Sequence, residues 1–192
     1  MKTSYWDIKS YKKLQINKDC ICFIPHDYPK KDRFSFSHKI KRYEHIRIKN
    51  PYNRYKNKNL RKYVLLGIGG NVGNVLSTFR KLTKRLSYKN AIIAYSPFVK
   101  NPAFGYIEQD DFYNGVIVIK TSMCYADFFS YCMYLERIFG RARKRPFKNA
   151  PRSLDIDVLG FKNIFINLAH LQIPHKEWFK RESVLIPLKG IK

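Results

Sequence analysis

Ser153-Leu154-Asp155-Ile156-Asp157-Val158-Leu159 alternates polar and apolar residues from Ser153 to Val158, the pattern of a strand with one buried face. Upstream of it lies a basic loop, Arg141 to Arg152, and before that Tyr125 to Phe139 carries apolar residues at helical spacing and is closed by Gly140. Phe112 to Lys120 is rich in β-branched residues and reads as a strand. Ala91-Ile92-Ile93-Ala94-Tyr95-Ser96 reads as another, broken by Lys100-Asn101-Pro102-Ala103-Phe104-Gly105 into a loop lasting to Asp111, a length at which loops are often functional. Tyr63-Val64-Leu65-Leu66-Gly67-Ile68-Gly69 is a short apolar run ending in glycines, a buried strand entering a tight turn. Asn74 then caps a helix to about Ser87, with Val75, Leu76, Phe79, Leu82 and Leu86 three or four apart. The order strand, helix, strand, strand, helix, strand is the split βαβ layout of a ferredoxin-like α+β sandwich, an antiparallel sheet with helices packed on it.

The remaining chain bounds what such a domain does. At 192 residues and 45% hydrophobic content one medium domain with a proper core is expected, with room for an extension. No apolar run approaches the roughly 20 residues that span a bilayer, and Met1 to Asp7 is not followed by a secretory h-region, so a cytoplasmic location is expected. Lys and Arg total 38 against 14 acidic residues, a net charge of +24, which fits nucleic acid, an anionic surface or a phosphorylated ligand equally well. Residues 1–60 carry 16 basic and 5 acidic side chains, net +11. They form a basic N-terminal extension of unassigned role with short apolar stretches, Cys20 to Ile24 and Phe34 to Phe36, that look like short strands or turns. The run Asn50 to Asn59, almost without aliphatic residues, closes it as a linker, so the main domain spans 61–192. Cys20, Cys22, Cys124 and Cys132 lack the spacing of a zinc site, and the last two read as small hydrophobes of a helix.

Asp155 and Asp157 carry the chemistry. On a strand, residues two apart face the same way about 6.6 Å from each other, so both carboxylates leave the sheet together while Leu154, Ile156 and Val158 enter the core. Their mutual repulsion is relieved by a hard divalent cation, and two Mg²⁺ about 3.5 to 4 Å apart suit phosphoryl transfer. Arg141, Arg143, Lys144, Arg145, Lys148 and Arg152 stand directly before the pair, and guanidinium forks match phosphate oxygens. An RNA-binding loop explains the arginines, and the 14 tyrosines and 14 phenylalanines offer stacking platforms. That reading leaves two aspartates facing an anion without a metal. Gly69-Gly70-Asn71-Val72-Gly73-Asn74 lacks the ending of a P-loop and reads as a structural turn. His175, in Ile173-Pro174-His175, is the most suggestive of the five histidines.

Pro151-Arg152-Ser153-Leu154-Asp155-Ile156-Asp157, with Gly140-Arg141-Ala142-Arg143 before it, resembles the G-R-x-R…P-R-[TS]-L-D-[LIV]-D pattern of 6-hydroxymethyl-7,8-dihydropterin pyrophosphokinases. Gly69-Gly70-Asn71 resembles that family's G-S-N turn, Asn101-Pro102-Ala103-Phe104-Gly105 its T-P-P-x-G loop, Phe112-Tyr113-Asn114 its [FY]-x-N strand start, and Ile173-Pro174-His175 with Arg181 its P-H…R segment. The likeness covers residues 62–188.

The resemblance implies transfer of pyrophosphate from ATP to the hydroxymethyl oxygen of the dihydropterin, releasing AMP, in folate biosynthesis. It implies that Asp155 and Asp157 hold two Mg²⁺, that Arg141 and Arg152 act with them on the phosphates, and that Glu136, Arg143, His175 and Arg181 serve the nucleotide. Pterin would stack on Phe112, bond to Asn114 and be framed by Asn101, Pro102 and Phe104. The partners are then ATP and the dihydropterin, not nucleic acid or membrane, with a neighbouring folate enzyme as a candidate contact of residues 1–60. The family's R-W-G-P-R appears here as Lys148-Asn149-Ala150-Pro151-Arg152, without its tryptophan, and Phe147 is the candidate substitute.

Overall fold

Strand β3 (Val64–Gly70) lies inside an antiparallel sheet, flanked by β6 (Phe112–Lys120) and β7 (Asp155–Phe161). The computed structural model describes residues 11–17, 20–25, 62–141, 147, 149–169, 171–176 and 178–189. The remaining elements are β1 (Tyr11–Asn17), β2 (Cys20–Pro25), β4 (Ala91–Tyr95), β5 (Phe98–Asn101), β8 (Ile166–Leu168), β9 (Leu171–Ile173), and helices α1 (Val75–Ser87), α2 (Tyr125–Ile138) and α3 (Glu182–Lys189). The large sheet runs β1-β2-β5-β6-β3-β7, with β4 also paired to β6, and β8 and β9 form a separate hairpin. The chain is therefore α+β with an antiparallel sheet, as its pattern leads one to expect. Among the described residues no helix is long and apolar enough to cross a membrane.

The alternation read in the sequence decides which face each helix covers. Leu66 and Ile68 of β3 and Ile156 and Val158 of β7 share one core cluster with Phe79, Leu82 and Leu86 of α1 and Phe128, Cys132 and Leu135 of α2. Asn74 starts α1 by accepting the Ser77 N–H at 3.0 Å on its side chain. Each fully buried Leu or Phe of that stripe stabilises the fold by about 1.5–3 kcal/mol, and Phe79→Ala would cost about 3–5 kcal/mol. On the opposite face Val116 and Leu159 pack with Trp178, Val184 and Leu188, so α3 covers the side from which Asp155 and Asp157 emerge.

Three features depart from the sequence reading. The segment read as one strand followed by a loop is two strands, β4 and β5, so Lys100 and Asn101 belong to a strand. Pro97 has no N–H to give the ladder, and Ser96 fills the break, its hydroxyl accepting the Val116 N–H at 2.8 Å. Gly115 opposite must lack a Cβ, which would stand 2.6 Å from the Phe98 ring. The stretch Cys20 to Ile24, read as a short strand or turn with no place in the sheet, is a strand of it: β1 and β2 form a hairpin whose second strand pairs with β5. The C-terminal α3 has no counterpart in the sequence reading; it carries Pro187 inside it, a residue that locally disfavours a helix. Phe34 to Phe36 and Asn50 to Asn59 lie outside the described residues.

Candidate active site

Asp155 and Asp157 both line a cavity of about 710 Å³ on the α3 side of the sheet. Their cross-strand partners on β3 are Gly69 and Gly67, so β3 sets no side chain beside the carboxylates. Gly69 is paired on its other side with Asn114, and a Cβ there would come within 2.9 Å of the Asn114 Oδ1. Asn101, Pro102, Phe104, Phe112 and Asn114 line the same cavity, as do Arg152 and Arg181. Asn114 donates from Nδ2 to Asn101 Oδ1 at 2.8 Å, which fixes two adjacent amides on the β5–β6 ladder.

The charges are arranged around Asp155. Arg141 Nη1 lies 2.6 Å from its Oδ1 and Arg152 Nη2 lies 2.9 Å from its Oδ2. Arg141 is also paired with Glu136, a carboxylate only 2% exposed. The Arg152 guanidinium sits 5.1 Å from the centre of the Phe112 ring, while its Nε and Nη1 are buried without a partner among the described residues. Buried donors left over beside an open cavity are what an anionic ligand would satisfy. Burial, and then the neighbouring Asp155, push the Asp157 carboxyl above the usual carboxylate range, against the pull of His175, Arg181 and Arg152. Arg181 is 3.5 Å from Asp157.

Asn71 ties the loops around this cavity together. Its Nδ2 donates to Gln109 Oε1 and to the Asp110 carbonyl, each at 2.9 Å, and its Oδ1 accepts the Arg152 N–H at 2.9 Å. Gln109 continues to the Asn149 carbonyl at 3.0 Å. The turn after β3 is thus structural, as read, but its asparagine joins the loop after β5 to the loop before β7. A Cβ at Gly70 would lie 2.6 Å from the Ser153 carbonyl oxygen, so the turn of this chain leaves no room for a side chain there.

Nine of the candidates meet at one cavity, and three stand behind it. Glu136 lies under β7, where its Oε1 accepts the Ile156 N–H at 2.7 Å. Arg141 reaches Asp155 from outside the lining, and His175, whose N–H donates to the Leu159 carbonyl at 3.0 Å, acts on Asp157 electrostatically. Arg143, with Lys144, Arg145 and Lys148, falls outside the described residues. Phe147 packs edge-on against Tyr106, ring centres 4.9 Å apart, and Asn149 lines the cavity. Sequence reading missed Val99, Lys180, Glu182 and Ser183; Glu182 and Ser183 come with the unread α3, Lys180 with the short 3-10 turn Trp178–Lys180 just before it, and Val99 with the unread β5.

The carboxylate pair suits a hard cation. Two oxygen donors on adjacent outward positions, with glycines clearing the space in front, fit magnesium, which takes one or two carboxylates and completes its shell with water and phosphate. Among the described residues no group of three or more His, Cys, Asp or Glu side chains forms another candidate metal site.

Comparison with known proteins points the same way. Residues 65–192 match the family model described as 7,8-dihydro-6-hydroxymethylpterin-pyrophosphokinase. The chain is 44% identical over 129 residues to the 2-amino-4-hydroxy-6-hydroxymethyldihydropteridine pyrophosphokinase of Helicobacter pylori, covering 65% of this chain and 78% of that one. It is 37% identical over 130 residues to the protein of the same name from Campylobacter jejuni, covering 66% and 82%. It is also 32% identical over 132 residues to the folic acid synthesis protein FOL1 of Dictyostelium discoideum, covering 67% of this chain and 19% of that longer one.

Proposed function

The chain belongs to the 7,8-dihydro-6-hydroxymethylpterin-pyrophosphokinase family and is a pyrophosphokinase of folate biosynthesis with ATP as co-substrate; on that premise we propose how its own residues carry the transfer. The hydroxymethyl oxygen of 6-hydroxymethyl-7,8-dihydropterin attacks the β-phosphorus of ATP. One O–P bond forms, the bond from the β-phosphorus to the α,β-bridging oxygen breaks, and AMP leaves as the pterin diphosphate is made.

The observation that carries this reading is the meeting of Asp155, Asp157 and Arg152 with Asn101, Phe112 and Asn114 at one cavity. The first three are suited to a polyphosphate and the last three to a flat ring with polar edges. Asn114 and Asn101 offer amide groups to the pterin edge, while Pro102, Phe104 and Phe112 enclose its faces. Arg152 and Arg141 hold phosphate oxygens, and the free Nε and Nη1 of Arg152 support that role. Arg181, Arg143 and His175 serve the nucleotide, with Glu136 fixing Arg141 from behind. Asp155 and Asp157 would hold magnesium, two ions in this reading, which offsets the charge developing on the triphosphate.

Residues 61–192 are read as the catalytic domain. The order β4/β5-β6-β3-β7 with its two intervening helices supports a ferredoxin-like topology for it. Small molecules are the proposed ligands and the cytoplasm, where ATP is abundant, the proposed location. A neighbouring folate-pathway enzyme as partner of residues 1–60 draws support from the Dictyostelium relative. The test is a coupled assay for AMP with the hydroxymethyl-dihydropterin as acceptor. AMP formation that requires both substrates is expected, and its absence would overturn the reading.

A further inference from the structure

Strand β5 is a weak place in the wall of the cavity. It has four residues, Phe98–Asn101, it follows Pro97 and it runs directly into Pro102. Proline at each boundary withholds a backbone donor where the strand begins and ends. Yet Val99 and Asn101 of this strand line the cavity, and Asn101 accepts the bond from Asn114 that orders the two amides. On one side the strand is held by β6, through Val99↔Asn114, Lys100↔Tyr113 and Asn101↔Phe112. Left there, it would be an open edge.

It is not left there. Strand β2 pairs along its other side, Ile21↔Lys100, Cys22↔Val99 and Phe23↔Phe98, and β1 pairs with β2 from Tyr11↔Pro25 to Asn17↔Cys20. The Ile21 side chain packs against the main core. The hairpin therefore braces three consecutive residues that end one position before Asn101. The family match begins at residue 65, so this brace comes from outside the stretch the chain shares with its family.

We propose that the β1–β2 hairpin is a positioning element for the pterin: by pairing with β5 it holds Val99 and Asn101 in place, and so sets the affinity for the pterin while leaving ATP binding unaffected. The selectivity follows from placement. The hairpin touches the sheet on the β5 edge, whereas Arg152, Asp155 and Asp157 hang on β7 and the loop before it, separated from β5 by β6 and β3. The inference rests on the pterin reading of Asn101 and Asn114.

The experiment uses the full chain with Ile21→Pro and Cys22→Pro made separately. Successive residues of an antiparallel strand direct their N–H groups to opposite neighbours, so one of these variants removes a donor to β5 and the other a donor to β1. Cys22→Ala keeps its N–H group and serves as the control. Three quantities are read: hydrogen exchange at Val99 and Lys100, the dissociation constant of 6-hydroxymethylpterin by its own fluorescence, and KM for each substrate. In the proline variant that exposes Val99 or Lys100, pterin binding and pterin KM should weaken about five- to tenfold, as expected for losing one or two backbone bonds. KM for ATP and kcat should change less than about twofold, and Cys22→Ala should bind pterin like wild type.

Unchanged pterin affinity once Val99 or Lys100 has lost protection overturns the proposal, and so does equal weakening toward ATP and pterin. Failure of both proline variants to fold makes the hairpin a part of the general core and overturns it too. If wild type makes no AMP, the functional reading fails on its own. Pterin fluorescence and exchange then still decide whether the hairpin governs this wall.

Discussion

Arg152 Nη2 lies 2.9 Å from Asp155 Oδ2, and Arg141 occupies the other oxygen of the same carboxylate at 2.6 Å. Both arginines proposed for phosphate therefore rest on an aspartate proposed for metal. Among the described residues Asp157 has a longer ion pair, 3.5 Å to Arg181. The two aspartates, equivalent in the sequence pattern, are unequal in the fold: one is clamped and the other is poorly compensated.

Alanine substitution should separate them. Read from the sequence alone, either carboxylate is removable without harm to the fold, because both leave the strand outward. Asp157→Ala is expected to behave so, with an unchanged or raised melting temperature. Asp155→Ala takes from the largely buried Arg152 guanidinium the carboxylate it rests on and from Arg141 one of its two carboxylates, and should lower it. Turnover should fall by about a thousandfold or more in both, since each loses a metal ligand. Thermal melts with EDTA, beside the AMP assay, would check this. Equal melting temperatures would refute the clamp, and near-normal turnover in either variant the metal assignment.

The raised pKa of Asp157 gives a pH dependence with a definite sign. Burial, then Asp155, make the native protein hold this proton more tightly than the unfolded chain does. The contribution to stability is then greatest below the ordinary carboxylate value and is lost as pH rises from there through the raised native pKa. Asp157→Asn removes that loss. In metal-free urea titrations across this window the variant should gain on wild type as pH rises, then hold a constant lead. A difference independent of pH would show that the carboxyl is not perturbed.

The asparagine of the turn after β3 should matter more than a turn residue usually does. Asn71 is 5% exposed and its side chain makes the three bonds that join the loops around the cavity. Each contributes about 1 kcal/mol net, so Asn71→Ala should cost about 2–3 kcal/mol. Arg152 would also lose its fixed backbone, so turnover should fall along with stability. Urea denaturation giving a loss below about 0.5 kcal/mol, the range of an ordinary surface site, would remove the hub role.

How much of this was legible in the sequence depended on whether the signal was local. The period of two in Leu154 to Val158 and the spacing of three or four in Val75 to Leu86 report burial directly, and both elements sit where the pattern puts them. Of the two cysteines read as small hydrophobes of a helix, Cys132 is a core residue, 1% exposed, its thiol pushed up to about 12 by burial, whereas Cys124 is exposed at the N-cap of α2. Strand β5 was hidden because Pro97 and Pro102 bracket four residues and its partners lie far away in the chain. Helix α3, which has no counterpart in the sequence reading, carries Pro187 near its end, a residue that locally disfavours a helix. The role of Glu136 was read from the resemblance as one toward the nucleotide. Its contacts with Arg141 and the Ile156 N–H depend on tertiary packing that no local pattern encodes.

Glu136 is the final test, because it joins α2 to the catalytic strand. The Ile156 N–H it accepts lies between Asp155 and Asp157, so one buried carboxylate pins the backbone from which both aspartates leave. The same oxygen meets Arg141, while Oε2 has no partner among the described residues. Glu136→Ala would leave the Ile156 N–H buried and unpaired and Arg141 with Asp155 alone. Breaking a buried pair costs about 3–5 kcal/mol, and because Arg141 retains one carboxylate the loss should be near about 3 kcal/mol. Glu136→Gln keeps an acceptor for Ile156 and gives up only the charge, so it should cost about 1–2 kcal/mol. Turnover should drop in both variants, more in alanine, because Asp155, Asp157 and Arg141 all shift when β7 is released. Urea denaturation and the AMP assay on the same preparations would measure both. If alanine proved no more destabilising than glutamine, the bond to Ile156 would not be what holds the strand.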